Sequence, residues 1–280
     1  MSSDTMSSDV VRDAVAPPLP VGTRLASNYR VLACLTRGKT ADVYDVWSED
    51  RDCRCVAKVL RPERRHDTKA QRALLREGVL LGQLSHPHIV RLYEILWKPS
   101  PALILETLTG ATLSHLIKRN RRLGLADLAP LGIHVCSAMH YLHQRAGFLH
   151  LDLKPSNIVC EGGRAKVIDF SIARRPGPGH QGAGTCQYLA PEQARGDSVA
   201  PATDVWGIGV VLFEAATGRK AFPAADTNGD YEQLTRRAKS VRTYCRLPLR
   251  LATAIDRCLE PDPKDRPPLA ELSKILNRFA

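Results

Sequence analysis

The sequence predicts an α+β protein: a front part built on five antiparallel strands with one main helix, and a rear part that is mainly helical. Three observations predict it. Between Tyr29 and Leu108, short runs rich in β-branched and aromatic residues are separated by turn-prone stretches. A charged segment over 69–84 interrupts that series with leucines at helical spacing. Past Gly110 the apolar residues recur with the helical period. The change of pattern falls near Glu106 to Gly110, which divides the chain into an N-terminal extension (1–22), a β-rich lobe (23–108) and an α-rich lobe (109–280).

Residues 1–22 are rich in Ser, Asp, Ala and Pro, repeat MSSD and lack apolar periodicity, the composition of a disordered segment. YRVLACL from Tyr29, VYDVWS from Val43 and CRCVAKVL from Cys53 read as strands of a meander, with SEDRD as the turn between the last two. The helix over Lys69 to Leu84 brings Leu74, Leu75, Leu81 and Leu84 near one face, and the pair His86 and Pro87 ends it. IVRLYEIL and PALILETL complete the five strands. Helices are then expected over Leu113 to Arg119, Leu128 to Gln144, Val205 to Ala216, Leu251 to Cys258 and Leu269 to Phe279.

At 280 residues, 44% hydrophobic and 25% charged, the chain has an ordinary globular composition and enough length for a large core, which excludes fibrous and wholly disordered classes. The longest apolar candidate for a membrane span, Val205 to Phe213, is far short of the roughly 20 residues required, so no membrane span is expected. The N-terminus has neither a basic start nor an apolar core, which makes a cytoplasmic location the expectation. Lys and Arg exceed Asp and Glu by 40 to 29. The basic residues are dispersed or in short clusters such as Lys118, Arg119, Arg121 and Arg122, without interleaved aromatics, so they read as solvated faces and no nucleic-acid partner is expected. The eight cysteines show no paired spacing suited to zinc and are expected to be free thiols.

The chemistry concentrates in HLDLKPSNIV, His150 to Val159, followed by IDF at Ile168 to Phe170. A short loop offers an aspartate, a lysine two places on and an asparagine five places on, and the end of a second strand offers another aspartate. Phosphoryl transfer needs such groups: an acceptor for the nucleophile's proton, cations against phosphates, and oxygen ligands for magnesium. With CVAKVL, LLREG, GTCQYLAPEQ, TDVWGIG and KDRPP elsewhere, the sequence resembles the eukaryotic-type (Hanks-type) serine/threonine protein kinase family over Tyr29 to Ala280. QLSHPHIVRLYEI and APEQARG look more like its bacterial members than its animal ones.

The resemblance implies the bilobal protein-kinase fold with ATP in the cleft and Mg2+, or Mn2+, as the metal. It assigns Lys58 to the α- and β-phosphates and Glu77 as the helix acid that pairs with it. Asp152 becomes the catalytic aspartate, Asn157 and Asp169 the metal ligands, and Lys154 the lysine typical of members directed at Ser or Thr. Val43 and Val56 form the roof of the adenine site and Val159 its floor, with Leu105 behind and the backbone of Glu106 and Leu108 as hydrogen-bond partners. Leu81, Leu92, His150 and Phe170 match the family's packed spine. Thr185 lies in the substrate-facing loop, Glu192 is expected to pair with Arg266, and Asp204 to brace the catalytic loop from beneath. Those last features separate a protein kinase from a small-molecule phosphotransferase. Protein substrates follow as partners, and two readings stay open for the signal: a stand-alone kinase, or one that depends on a regulatory partner for sensing.

Four positions depart from the family. In the glycine-rich loop only Gly38 remains, with Thr36 and Ala41 at the flanking positions, where side chains restrict positive φ and close approach of backbone to phosphate. Ser171 replaces the glycine after Asp169 and Phe170. Leu151 replaces the arginine that usually precedes the catalytic aspartate and holds a phosphorylated residue of the activation segment. Between Asp169 and Glu192 the hydroxyls are Ser171, Thr185 and Tyr188 alone, so an activity independent of phosphorylation in this segment is expected. Arg174, Arg175, Arg236, Arg237 and Lys239 read either as an attraction for acidic substrates or as a solvated face. The departures also leave an alternative open, a pseudokinase that binds nucleotide as a scaffold with little turnover.

Overall fold

A computed structural model describes residues 16–98, 100–222 and 231–280. Residues 1–15 of the expected disordered extension lie outside the described residues. Residues 16–22 are held against the sheet, the Leu19 amide donating to the Tyr44 hydroxyl (2.9 Å) and Gly22 to the Val31 carbonyl (2.8 Å). The chain forms two compact units, one of Met1–Leu75 with Glu94–Thr107 and one of Arg76–Tyr93 with Leu108–Ala280.

The first unit is built on a sheet of strands β1 (Arg24–Ala26), β2 (Tyr29–Arg37), β3 (Ala41–Ser48), β4 (Cys53–Leu60), β5 (Leu92–Leu96) and β6 (Ala102–Glu106), in the order β1-β2-β3-β4-β6-β5. The sheet has six strands rather than five. The additional one, β1, is three residues that fold back antiparallel on the start of β2, too few to show an alternating pattern. In β4, Cys55, Ala57 and Val59 point into the core and Val56 and Lys58 to the other face, as period-two alternation requires. Val43 of β3 is the register partner of Lys58, and Leu103 and Leu105 of β6 are partners of Lys58 and Val56. Residues directly opposite share a face, so Val43, Val56, Lys58 and Leu105 lie on one side of the sheet.

Helix α1 (Thr68–Gly82) begins in this unit and ends in the next. Asp67 starts it by accepting the amides of Lys69 and Ala70 (3.0 Å each), and these bonds, Ala70's foremost, hold its carboxyl below the ordinary carboxylate range.

The second unit is mainly helical, with α2 (Leu113–Asn120), α3 (Leu125–Tyr141), α4 (Pro191–Arg195), α5 (Pro201–Thr217), α6 (Glu232–Thr235), α7 (Leu249–Cys258) and α8 (Leu269–Leu276). A small antiparallel sheet, β7 (Ala111–Thr112), β8 (Ile158–Glu161) and β9 (Arg164–Val167), carries the loop of interest. The helix expected over Leu128 to Gln144 is α3, which starts a turn earlier and passes into a single π-helical turn, Leu142–Ala146. The last helix stops at Leu276, three residues short of its expected end. Helix α5 is apolar on nearly every side and is the buried centre of the unit, Trp206 stacking on Phe222 with ring centroids 5.4 Å apart. Gly207 on α5 lets the catalytic loop approach: a Cβ there would stand 2.8 Å from the Cβ of Leu153. All eight cysteines are free thiols.

Candidate active site

Asp204, in the first turn of α5, is the anchor of the loop between α3 and β8. Its carboxylate accepts the amides of His150 (2.8 Å) and Leu151 (2.8 Å) and meets Nε2 of His143 at 2.7 Å. Burial alone would raise the pKa of this carboxyl, but the bonds from His143 and the loop outweigh it and hold it below the ordinary value. The two amides come from consecutive residues, which turns the chain into a left-handed conformation at Leu151, φ +66°. That conformation costs a β-region residue about 1–2 kcal/mol. It is fixed from the other side too, because Nε2 of Gln193 donates to the Leu151 carbonyl at 2.9 Å.

The turn presents Asp152, whose side chain gathers three donors. Oδ2 accepts from Nζ of Lys154 (2.6 Å) and from Nδ2 of Asn157 (3.1 Å), and Oδ1 accepts from the hydroxyl of Thr185 (2.8 Å). Lys154 also donates to Oγ1 of Thr185 at 2.7 Å. A carboxylate and an ammonium therefore hold one threonine hydroxyl between them, through charge-assisted bonds in a partly buried site. Asn157 gives both amide hydrogens to Asp152, the second to its backbone carbonyl at 2.9 Å. This fixes the amide so that its carbonyl oxygen points away from the aspartate.

The backbone of Asn157 accepts the amide of Ile168 (2.9 Å), tying the loop to the chain that leads from β9 to Asp169. Asp169 also has a left-handed backbone, φ +64°, and its carboxylate accepts the amide of Ser171 at 3.3 Å. Phe170 is buried, edge-on to His150 (4.8 Å), and its amide donates to Oε1 of Glu77 at 3.1 Å. Glu192 and Arg266 form the expected pair, bidentate at 2.7 and 2.8 Å and fully enclosed. The rest of the guanidinium donates to the carbonyls of Glu260, Ala202 and Pro261, so no donor of this buried cation is left without an acceptor.

A protein kinase domain profile matches residues 29–276. The chain belongs to the protein kinase family. Among curated relatives, a probable serine/threonine-protein kinase of Streptomyces coelicolor is 33% identical over 212 residues, covering 71% of this chain and 31% of the relative. A probable serine/threonine-protein kinase PknB of Lactococcus lactis is 33% identical over 212 residues, 73% of this chain and 34% of the relative. Serine/threonine-protein kinase PkaA of Streptomyces coelicolor is 33% identical over 233 residues, 80% and 42%. The bacterial character read from QLSHPHIVRLYEI and APEQARG agrees with these matches. The chain spans about a third of the length of the first two of these relatives and about two fifths of the third.

A protein kinase domain works with ATP and a divalent cation. The donor set fits a hard cation: an amide oxygen at Asn157 turned away from its neighbours and a carboxylate at Asp169. The other expected site residues divide by unit. Gly38, Val43, Val56, Lys58 and Glu106 belong to the first, and Glu77, Leu108, Asp152, Lys154, Asn157, Val159 and Asp169 to the second. Val159 is buried on β8, opposite Thr112.

At the flanking positions of the glycine-rich loop, Thr36 pairs with Val43 just past a register irregularity after Cys34, Ala41 pairs with Leu60, and neither has positive φ, so backbone handedness does not penalise their side chains. Gly38 is required for a different reason: its amide bonds the Ala41 carbonyl (3.0 Å), and a Cβ would lie 2.4 Å from that oxygen. The basic cluster near the substrate loop is largely committed to internal bonds, Arg236 to Glu232 (3.1 Å) and Arg237 to Glu260 (2.7 Å). Sequence reasoning missed Gln193 and His143, since neither residue type marks its task until the fold brings it against the loop.

Proposed function

We propose that the protein transfers the γ-phosphoryl group of ATP to serine or threonine hydroxyls of protein substrates, with Mg2+ or Mn2+ as the metal. One observation carries the reading: Asp152 and Lys154 together hold the hydroxyl of a threonine, Thr185. A substrate hydroxyl seated on the same two groups would have Asp152 to take its proton and Lys154 to offset charge on the transferring phosphoryl. Asn157 and Asp169 would hold the divalent cation, which supplies neutralisation of the phosphate charge. Lys58 is assigned to the α- and β-phosphates, with Glu77 as its partner acid. Gly38, Val43, Val56, Val159 and the backbone of Glu106 and Leu108 are assigned to the nucleotide.

The domain organisation that goes with this reading is an extension over 1–22, an N-lobe over 23–108 and a C-lobe over 109–280. Protein substrates, a regulatory partner and a cytoplasmic location belong to the same proposal, with no nucleic acid involved. Among the described residues no helix is long and apolar enough to cross a membrane.

The test is incubation with labelled ATP, Mg2+ or Mn2+ and a generic protein substrate, beside Asp152→Asn. Label appearing as phosphoserine or phosphothreonine only with the wild type is the expected result. Nucleotide binding without transfer under either metal would instead favour the scaffold reading or a kinase that awaits its regulatory partner.

A further inference from the structure

A second concave site lies within the helical unit, away from Asp152. It is a cavity of about 520 Å3 formed by the loop between α2 and α3, the end of α5 and the segment before α7. Its size falls in the range of ligand pockets. Leu123, Tyr244 and Leu247 give it an apolar lining, and three arginines, Arg122, Arg242 and Arg246, surround them. None of the three makes an ion pair among the described residues. This sets them apart from Arg236, Arg237 and Arg257, which are paired with Glu232, Glu260 and Glu271.

The frame is fixed. The Leu123 amide donates to the Ala215 carbonyl (2.7 Å), and the amides of Tyr244 and Cys245 donate to Val241 (3.1 and 3.2 Å). Tyr244 packs edge-on against Phe213, while the guanidinium of Arg219 lies 5.4 Å over its ring and holds it in place. The nearby carboxylate of Asp256 is engaged by the Ser240 hydroxyl (2.6 Å) and the Val241 amide (2.9 Å). Glu214, near the end of α5, accepts the hydroxyl of Tyr188 (2.9 Å), and Asp127 lies in the first turn of α3.

Exposed, unpaired arginines around a cavity with an apolar lining suit an anion attached to an apolar group. Arginine's planar fork suits phosphate, which it can hold through two bonds at once. A nucleic-acid strand would require a longer basic track with stacking aromatics. We propose that this cavity is a docking site for a peptide segment bearing phosphoserine or phosphothreonine next to an apolar side chain. The phosphate takes the guanidiniums of Arg122, Arg242 and Arg246, and the neighbouring side chain rests on Leu123 and Leu247.

The test is a direct binding measurement on the full chain without nucleotide, so it does not depend on the catalytic proposal. A fluorescein-labelled peptide with one phosphoserine flanked by leucines is titrated by anisotropy beside its unphosphorylated counterpart. The phosphorylated form is expected to bind at least about tenfold tighter, with competition by inorganic phosphate and weakening by salt. In the Arg122→Ser/Arg246→Ser variant that preference is expected to vanish while the melting temperature stays at the wild-type value. Equal binding of the two peptides, or no competition by phosphate, overturns the proposal without any variant. So does a preference that survives in the double variant. Binding to phosphatidylglycerol vesicles but to neither peptide would make the site a membrane contact and overturn it as well.

Discussion

Leu151 is the residue at which this kinase's mode of activation can be tested. Where the family usually has an arginine waiting for a phosphate, Leu151 packs with Leu149 and Val199, and Ile172 closes the cluster. Paired backbone bonds flank it, Leu149 with Arg174 (2.7 and 3.1 Å) and Gly177 with Val199 (3.1 and 2.9 Å). The segment is thus fastened by apolar contact and backbone bonding, and activity is expected without a phosphate on it. Leu→Ala substitutions in cores cost about 2–5 kcal/mol, and the position of Leu151 at the edge of a small cluster points to about 2–3 kcal/mol. At roughly 2–4 °C per kcal/mol for a chain near this size, Leu151→Ala should melt roughly 4–12 °C below the wild type. Leu151→Arg should lose at least as much, because the guanidinium enters the cluster without a partner. Phosphatase-treated wild type should retain full transfer to a generic substrate. The reasoning fails if phosphatase treatment abolishes turnover, or if Leu151→Arg melts like the wild type and becomes dependent on phosphorylation.

Arg266→Met should destabilise by about 3–5 kcal/mol, since it strands Glu192 in the interior, and adding Glu192→Met should recover much of that in a denaturant titration. If the single variant unfolds like the wild type, the enclosed pair has no such role. The folded-state pKa values of His86, His134 and His150 all lie below the ordinary histidine value, burial being the main cause in each. The unfolded chain therefore binds more protons below about pH 6.5, and stability should be level above that pH and fall as pH drops through it. A melting temperature that rises on acidification over this window would contradict the assignment. Gly38→Ala should weaken nucleotide binding by forcing open the β2–β3 turn. Ala41→Gly should strengthen it if the alanine side chain limits approach to phosphate, and equal affinities by calorimetry would remove that idea.

The groups of the site were legible because phosphoryl transfer demands particular residue types at short spacing, and His150 to Asn157 supplies them within one loop. What brings them into register was less so. β1 shows no alternation in three residues, and β8 and β9 are short strands hidden beneath a motif whose interest is chemical. The left-handed backbone at Leu151 has no signal in leucine, since bonds from the distant residues Asp204 and Gln193 hold it. At Thr36 and Ala41, where side chains are expected to restrict positive φ, strand pairing with β3 and β4 sets the backbone and no positive φ is called for.

Those imposed bonds also couple the order of the activation segment to the geometry of Asp152. Leu151 is held at its amide by Asp204 of α5 and at its carbonyl by Gln193, which itself donates to the Ala183 carbonyl (3.2 Å) within the segment. A residue in a left-handed conformation relaxes if either hold is lost, and Asp152 is the next residue along. Gln193→Leu keeps approximate volume but removes the donor to the Leu151 and Ala183 carbonyls and the acceptor of the Ala190 amide, at about 1–3 kcal/mol for each buried group left unsatisfied. Its effect should appear in transfer rate more strongly than in melting temperature, because the neighbour released is Asp152 while the apolar cluster stays in place. A Gln193→Leu enzyme with wild-type turnover would show that the Asp204 amide bonds alone suffice to set the loop, and the activation segment would then have no route to Asp152 through Leu151.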